Sequence, residues 1–219
     1  MIQFLSNDVK TINFFAKPLL ILMLCLATMI SCNEQKNPAA KTTEKTKSIH
    51  IQPLNGFDSL FAKAIASKLN VLSADIVILP DLHVPLNALN ASGKRFRADS
   101  IIRFLKNNTP KDCITLGLIE KDISTTKGNQ ADWGVMGLGY RPGNACVAST
   151  FRLSKQNKQE QLFKISIHEL GHTIGLPHCA EKTCYMRDAE GRNPTNEEKE
   201  FCAACKQKLS DLGWNLKSL

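Results

Sequence analysis

The sequence predicts an α/β to α+β domain on a mixed, mostly parallel twisted sheet, and three observations carry that expectation. Apolar runs over 48–54, 74–80 and 113–123 alternate with helical patterns over 58–69 and 99–107, an order that asks for parallel neighbours joined by crossover helices. Two further strand-like runs, 133–140 and 145–153, flank Arg141-Pro142-Gly143-Asn144, a strong turn signal. A helix over 159–174 follows, because Phe163, Ile167, Leu170 and Ile174 recur at helical spacing.

In chain order, 219 residues suit one exported precursor with a single domain large enough to bury its own core. Residues 1–17 carry Lys10 and Lys17, and residues 18–31, PLLILMLCLATMIS, are almost wholly apolar. That run is too short to span a membrane comfortably and fits the core of a signal peptide. It ends in Met29-Ile30-Ser31-Cys32, followed by the polar Asn33-Glu34-Gln35, and so resembles a bacterial lipoprotein signal with Cys32 as the lipidated residue. The resemblance implies a lipoprotein anchored in the membrane of the cell envelope, outside the cytoplasm, because two or more acyl chains suffice for stable attachment. An uncleaved N-terminal anchor is the alternative, and Cys25 would be lost on cleavage. Residues 32–47 are polar and contain Pro38, which reads as a flexible tether ahead of a domain over 48–219.

Loss of residues 1–31, which carry Asp8, Lys10 and Lys17, lowers the formal charge from +8 to +7. The lysines are dispersed, so the excess reads as a solvated face or attraction to an anionic surface, and nucleic-acid binding is not expected.

Within the domain, Ser48 to Leu54 reads as a first strand closed by Pro53, and Asp58 as the cap of a helix with its stripe on Leu60, Phe61, Ala64, Ile65 and Leu69. Ala74 to Pro80 is apolar enough to be a central strand. A second helix runs through Ile101, Ile102 and Leu105, and Cys113 to Ile123 reads as one third strand with Cys113 a small buried side chain. His50 and His83 are expected to be structural. Near the C-terminus, Thr195 and Glu198 form an N-terminal capping box for a helix that would carry Cys202 and Cys205 and stop at Gly213.

The chemistry concentrates between His168 and Met186. His168, Glu169, His172, Gly175 and His178 spell His-Glu-x-x-His-x-x-Gly-x-x-His, the elongated zinc-hydrolase signature. On a helix His168 and His172 lie one turn apart on one face, Gly175 can end the helix in a left-handed conformation, and the returning chain can present His178. Three imidazoles with a fourth position left to water are the arrangement of catalytic zinc. Glu169 projects beside the ion and is expected to act as general base in peptide hydrolysis.

Cys179 and Cys184, with the Cys202-x-x-Cys205 pair, supply four thiolates for a closed structural zinc site, or else two disulfides. Together with the histidines and Met186, these residues resemble the archaemetzincin family of metzincin-clan zinc metallopeptidases. The resemblance implies a catalytic zinc on His168, His172 and His178, a second, structural zinc on Cys179, Cys184, Cys202 and Cys205, and Met186 in a methionine turn beneath the site. It further implies a metzincin-like fold with an antiparallel edge strand along the cleft and a Cys-rich, zinc-bound helical subdomain at the C-terminus. Peptides or proteins are the implied substrates, with an aminopeptidase acting on short peptides as the finer form. Two other readings stay open: a zinc-binding lipoprotein without turnover that serves as a peptide-binding or scaffold module, and a thiol redox module on Cys202 and Cys205.

Overall fold

The computed structural model describes residues 47–217. Cys32, the leader over 1–31 and all but the last residue of the tether lie outside them. The elements run β1 (Ser48–Leu54), α1 (Ser59–Leu69), β2 (Ile76–Ile78), β3 (Phe96–Arg97), α2 (Ala98–Asn108), β4 (Cys113–Ile119), β5 (Ile123–Lys127), β6 (Gln130–Val135), β7 (Gly137–Gly139), β8 (Ala145–Ser149), α3 (Lys158–Ile174) and α4 (Ala203–Asp211). No helix among the described residues is long and apolar enough to cross a membrane.

A five-stranded sheet in the order β2-β1-β4-β8-β7 is parallel from β2 to β8, and β7 joins the edge antiparallel to β8. The expected mixed, mostly parallel sheet is therefore present. Side chains alternate across it: Ile49, Ile51, Leu116, Leu118, Cys146 and Ala148 pack in one core with α1, α3 and α4. Leu54, Ile119, Ala145 and Val147 pack on the other face with Ile101, Ile102 and Leu105 of α2. Asp58 caps α1 as expected, accepting a hydrogen bond from the Phe61 N–H at 2.6 Å.

Four expectations are corrected by the packing. The apolar run at 74–80 is an edge strand rather than a central one, with only β1 beside it and Val77 and Ile78 44 % and 36 % exposed. The run at 113–123 divides into β4 and β5, which lie in different sheets. Between them the buried Asp122 carboxylate takes guanidinium hydrogen bonds from Arg95 at 2.7 Å and Arg152 at 2.8 Å. That charged knot cannot continue a buried strand, so the chain turns away. The run at 133–140 likewise divides into β6, paired with β5 in a second sheet of order β3-β5-β6, and β7.

The fourth correction concerns the C-terminal helix, which begins at Ala203 and not at Thr195. The Lys164 ammonium of α3 donates to the main-chain carbonyls of Thr195 at 2.8 Å and Glu198 at 2.7 Å. The Thr195 hydroxyl turns to the Asn193 side chain at 2.7 Å, so neither member of the expected capping box caps a helix.

Candidate metal centre and active-site cleft

Helix α3 is buried along most of its length, which fixes the direction of every polar side chain it carries. His168 and His172 stand one turn apart with ring centroids 4.6 Å from each other. The helix stops at Gly175, whose φ of +127° costs a residue without a Cβ little. In the same turn the Leu176 N–H bonds back to the Gly171 carbonyl at 2.8 Å, and the Leu176 carbonyl accepts from Nδ1 of His172 at 2.9 Å. The device that ends the helix therefore also orients the imidazole.

His168 donates from Nδ1 to the Tyr185 carbonyl at 2.6 Å. Because a carbonyl only accepts, both histidines hold their proton on Nδ1 and keep a lone pair on Nε2. His178 completes the group at centroid distances of 4.7 Å from His172 and 5.5 Å from His168. One ligand atom from each of the three lies within 4.8 Å of the others. Burial, reinforced by the neighbouring His172, holds His168 down at about 3, and burial also lowers His172, so both stay neutral donors. Three nitrogen donors converging on one point fit zinc, and all three line the cleft. Asp188, which the sequence did not single out, places Oδ2 3.4 Å from Nδ1 of His178.

Glu169 lines the cleft and is buried, and the main chain of Gly139 beside it favours its charged form. Burial outweighs that influence and pushes it up to about 8. Strand β7 can approach so closely because it is Gly-Leu-Gly: a Cβ at Gly137 would lie 2.6 Å from Oε1 of Glu169, and one at Gly139 2.6 Å from its carbonyl oxygen. The spacing of these glycines in a short strand was the available signal for this contact. Met186 is fully buried against Gly171, where a Cβ would come within 2.4 Å of Sδ.

The four cysteines form a second cluster, their sulfurs within 4.8 Å of one another and joined by no disulfide. Cys179 and Cys202 are 3.7 Å apart. Main-chain N–H groups of Met186 at 3.5 Å and Cys202 at 3.4 Å point at Sγ of Cys184. Burial raises the thiols of Cys184 and Cys205. Four soft donors drawn from two segments suit a closed tetrahedral zinc site. His50 and His83 stand apart from both clusters: His50 lies 3.4 Å from the Cys113 sulfur, and His83 is an exposed loop residue 3.6 Å from Asp81.

The cleft has a volume of about 760 Å³. It is lined by the stretch from Trp133 to Gly139, the loop from Arg187 to Pro194, the three histidines and Glu169.

Residues 62–211 match peptidase family M54. The curated archaemetzincin of Archaeoglobus fulgidus is 32 % identical over 166 residues, which cover 74 % of this chain and 98 % of that protein. A crystal structure of archaemetzincin from Archaeoglobus fulgidus, complexed with malonate, superposes with a TM-score of 0.64 at 31 % identity, covering 74 % of this chain and 99 % of that one. The archaemetzincin structure from Methanopyrus kandleri shares the fold at a TM-score of 0.65 and 20 % identity, over 77 % of this chain and 97 % of its own.

Proposed function

The chain belongs to peptidase family M54 and is a zinc metallopeptidase, and from that premise we propose how its own residues perform the hydrolysis. His168 and His172 through Nε2, together with His178, hold the catalytic zinc. When bound, that ion supplies polarisation of the scissile carbonyl and acidification of a water molecule. Glu169 takes the proton from the attacking water and returns it to the leaving amine. The main chain of Gly137 and Gly139, which passes with no room for a side chain, borders the Glu169 carboxylate and confines it to that task.

The substrate main chain pairs with the outer edge of β7, which ends the five-stranded sheet and lines the cleft. A cleft of about 760 Å³ suits a short peptide, and action from the N-terminal end is the finer assignment we make. Cys179, Cys184, Cys202 and Cys205 hold a second, structural zinc, and Met186 forms the floor beneath the histidines. At the N-terminus we assign residues 1–31 as a signal peptide and Cys32 as a lipid-carrying anchor in the cell envelope. Fatty-acid labelling lost on Cys32→Ala tests that assignment.

The observation that carries the reading is the convergence of three oriented imidazoles beside a buried Glu169 on one cleft. Hydrolysis of a broad peptide library by the zinc-loaded chain tests it. Glu169→Gln should retain zinc and lower kcat by about 10²–10⁴-fold. A variant as fast as its parent would return the chain to the non-catalytic, peptide-binding reading.

A further inference from the structure

Glu198 is 4 % exposed, lines the cleft, and accepts no hydrogen bond to its carboxylate from any described residue. The nearby ammonium of Lys164 does not serve it: Nζ donates to the main-chain carbonyls of Thr195 and Glu198 and lies 3.8 Å from Glu160. Arg187, the other cation whose field reaches it, is paired with Glu197 at 2.6 Å. A carboxylate largely withdrawn from water, open only to the cleft and without a partner, is costly, and a ligand that brings the missing donor relieves that cost.

The position is specific. Lys164 fixes the backbone of Glu198 against α3, and the next residue, Ile165, shares the helix face of Glu169 and lines the same cleft. The other cleft cations do not reverse its sign. Arg152 and Arg192 are paired with Asp122 and Glu190, while Lys127, over the Trp133 ring, and Arg141 are exposed at the rim.

We propose that Glu198 is a substrate-recognition residue whose carboxylate receives a positively charged nitrogen of the bound peptide. That nitrogen is either the N-terminal ammonium or a lysine or arginine side chain beside the cleaved bond. The inference rests on the peptidase reading and deepens it by naming the substrate chemistry. An N-terminal ammonium would make Glu198 the group that measures the distance from the peptide's end to the scissile bond. A basic side chain would make it a sequence filter.

The experiment is equilibrium binding of a peptide series to the full, zinc-loaded chain carrying Glu169→Gln, so that the ligand survives. One arm compares free with acetylated N-termini, and the other compares lysine or arginine with norleucine. The expected result is a preference of about tenfold or more in Kd for one cation, removed by Glu198→Gln and kept in part by Glu198→Asp. The arm in which the preference is lost identifies the nitrogen. Equal affinity across the series overturns the proposal without need of any Glu198 variant, and so does a preference that Glu198→Gln leaves intact. If the parent cuts no peptide while the cation preference holds, only the hydrolysis reading fails. If it cuts peptides with no such preference, only this inference fails.

Discussion

His178 and Cys179 are neighbours in sequence, yet they belong to two donor sets built on opposite plans. The histidine set takes two members from one turn of a buried helix and a third from the loop behind its glycine stop, and carbonyls of Tyr185 and Leu176 hold the proton-bearing nitrogens of the helical pair. All three line the cleft. The cysteine set joins the loop after α3 to the start of α4, and Cys184 and Cys205 are buried with main-chain N–H groups aimed at the Cys184 sulfur. Helix-borne donors with preset tautomers leave a metal accessible on one side, whereas thiols drawn from a loop and from the start of a helix can close around one and tie two parts of the chain together. The proposed roles, one centre acting on substrate and the other maintaining the fold, follow that contrast.

The sharpest way to break the contrast is to delete one donor from each set. His172→Ala should reduce kcat/KM by at least about 10³-fold, equivalent to about 4 kcal/mol of transition-state stabilisation, while denaturant unfolding shifts by about 1 kcal/mol. With the proposed structural zinc on the cysteines, Cys205→Ala should do the reverse, costing about 4 kcal/mol or more of stability, since such metal binding is folding free energy. Equal losses of stability in the two variants would erase the distinction.

A smaller effect tests how closely Met186 supports the histidine side. In Gly171→Ala the new Cβ would sit 2.4 Å from Sδ of Met186, so the helix or the methionine must move. Overpacking of this kind costs about 1–3 kcal/mol. Activity should fall beyond what the stability loss explains, since His168 and His172 flank the position; a variant with parental melting and rate would show that the contact is slack.

A pH-dependent effect of similar size is expected at Glu198, in the segment between Cys184 and Cys202. Burial raises its carboxyl from 4.5 to about 7. The folded chain keeps this proton where the unfolded chain has released it, so the stabilising contribution is complete below 4.5 and is lost as pH rises through about 7. Between those limits the parent should lose about 2 kcal/mol relative to Glu198→Gln, less than the full shift because the group opens on the cleft. Parallel pH-stability curves for parent and variant would mean that Glu198 titrates normally in the fold.

What the sequence determined alone was local. A histidine four residues from another on an apolar helical period must share its face, and a glycine three residues later can end the helix, so the donors and their order were legible before any tertiary contact. Asp58 as a helix cap and Ser48–Leu54 as a strand were legible for the same reason, since each depends on atoms a few residues apart. Tertiary structure decided whatever required a distant partner. Apolar character could not say that Ile76–Ile78 would have a neighbour on one side only, nor that the Asp122 carboxylate would meet Arg95 and Arg152 and divide the 113–123 run. Nor could it bring Gly137 and Gly139 against Glu169. Thr195 and Glu198 fit a local capping pattern, but Lys164, more than thirty residues earlier, takes their carbonyls and turns the segment onto α3. Helix periodicity is written in neighbouring residues, whereas sheet position and the burial of a lone carboxylate are set by which remote surfaces exclude water from them.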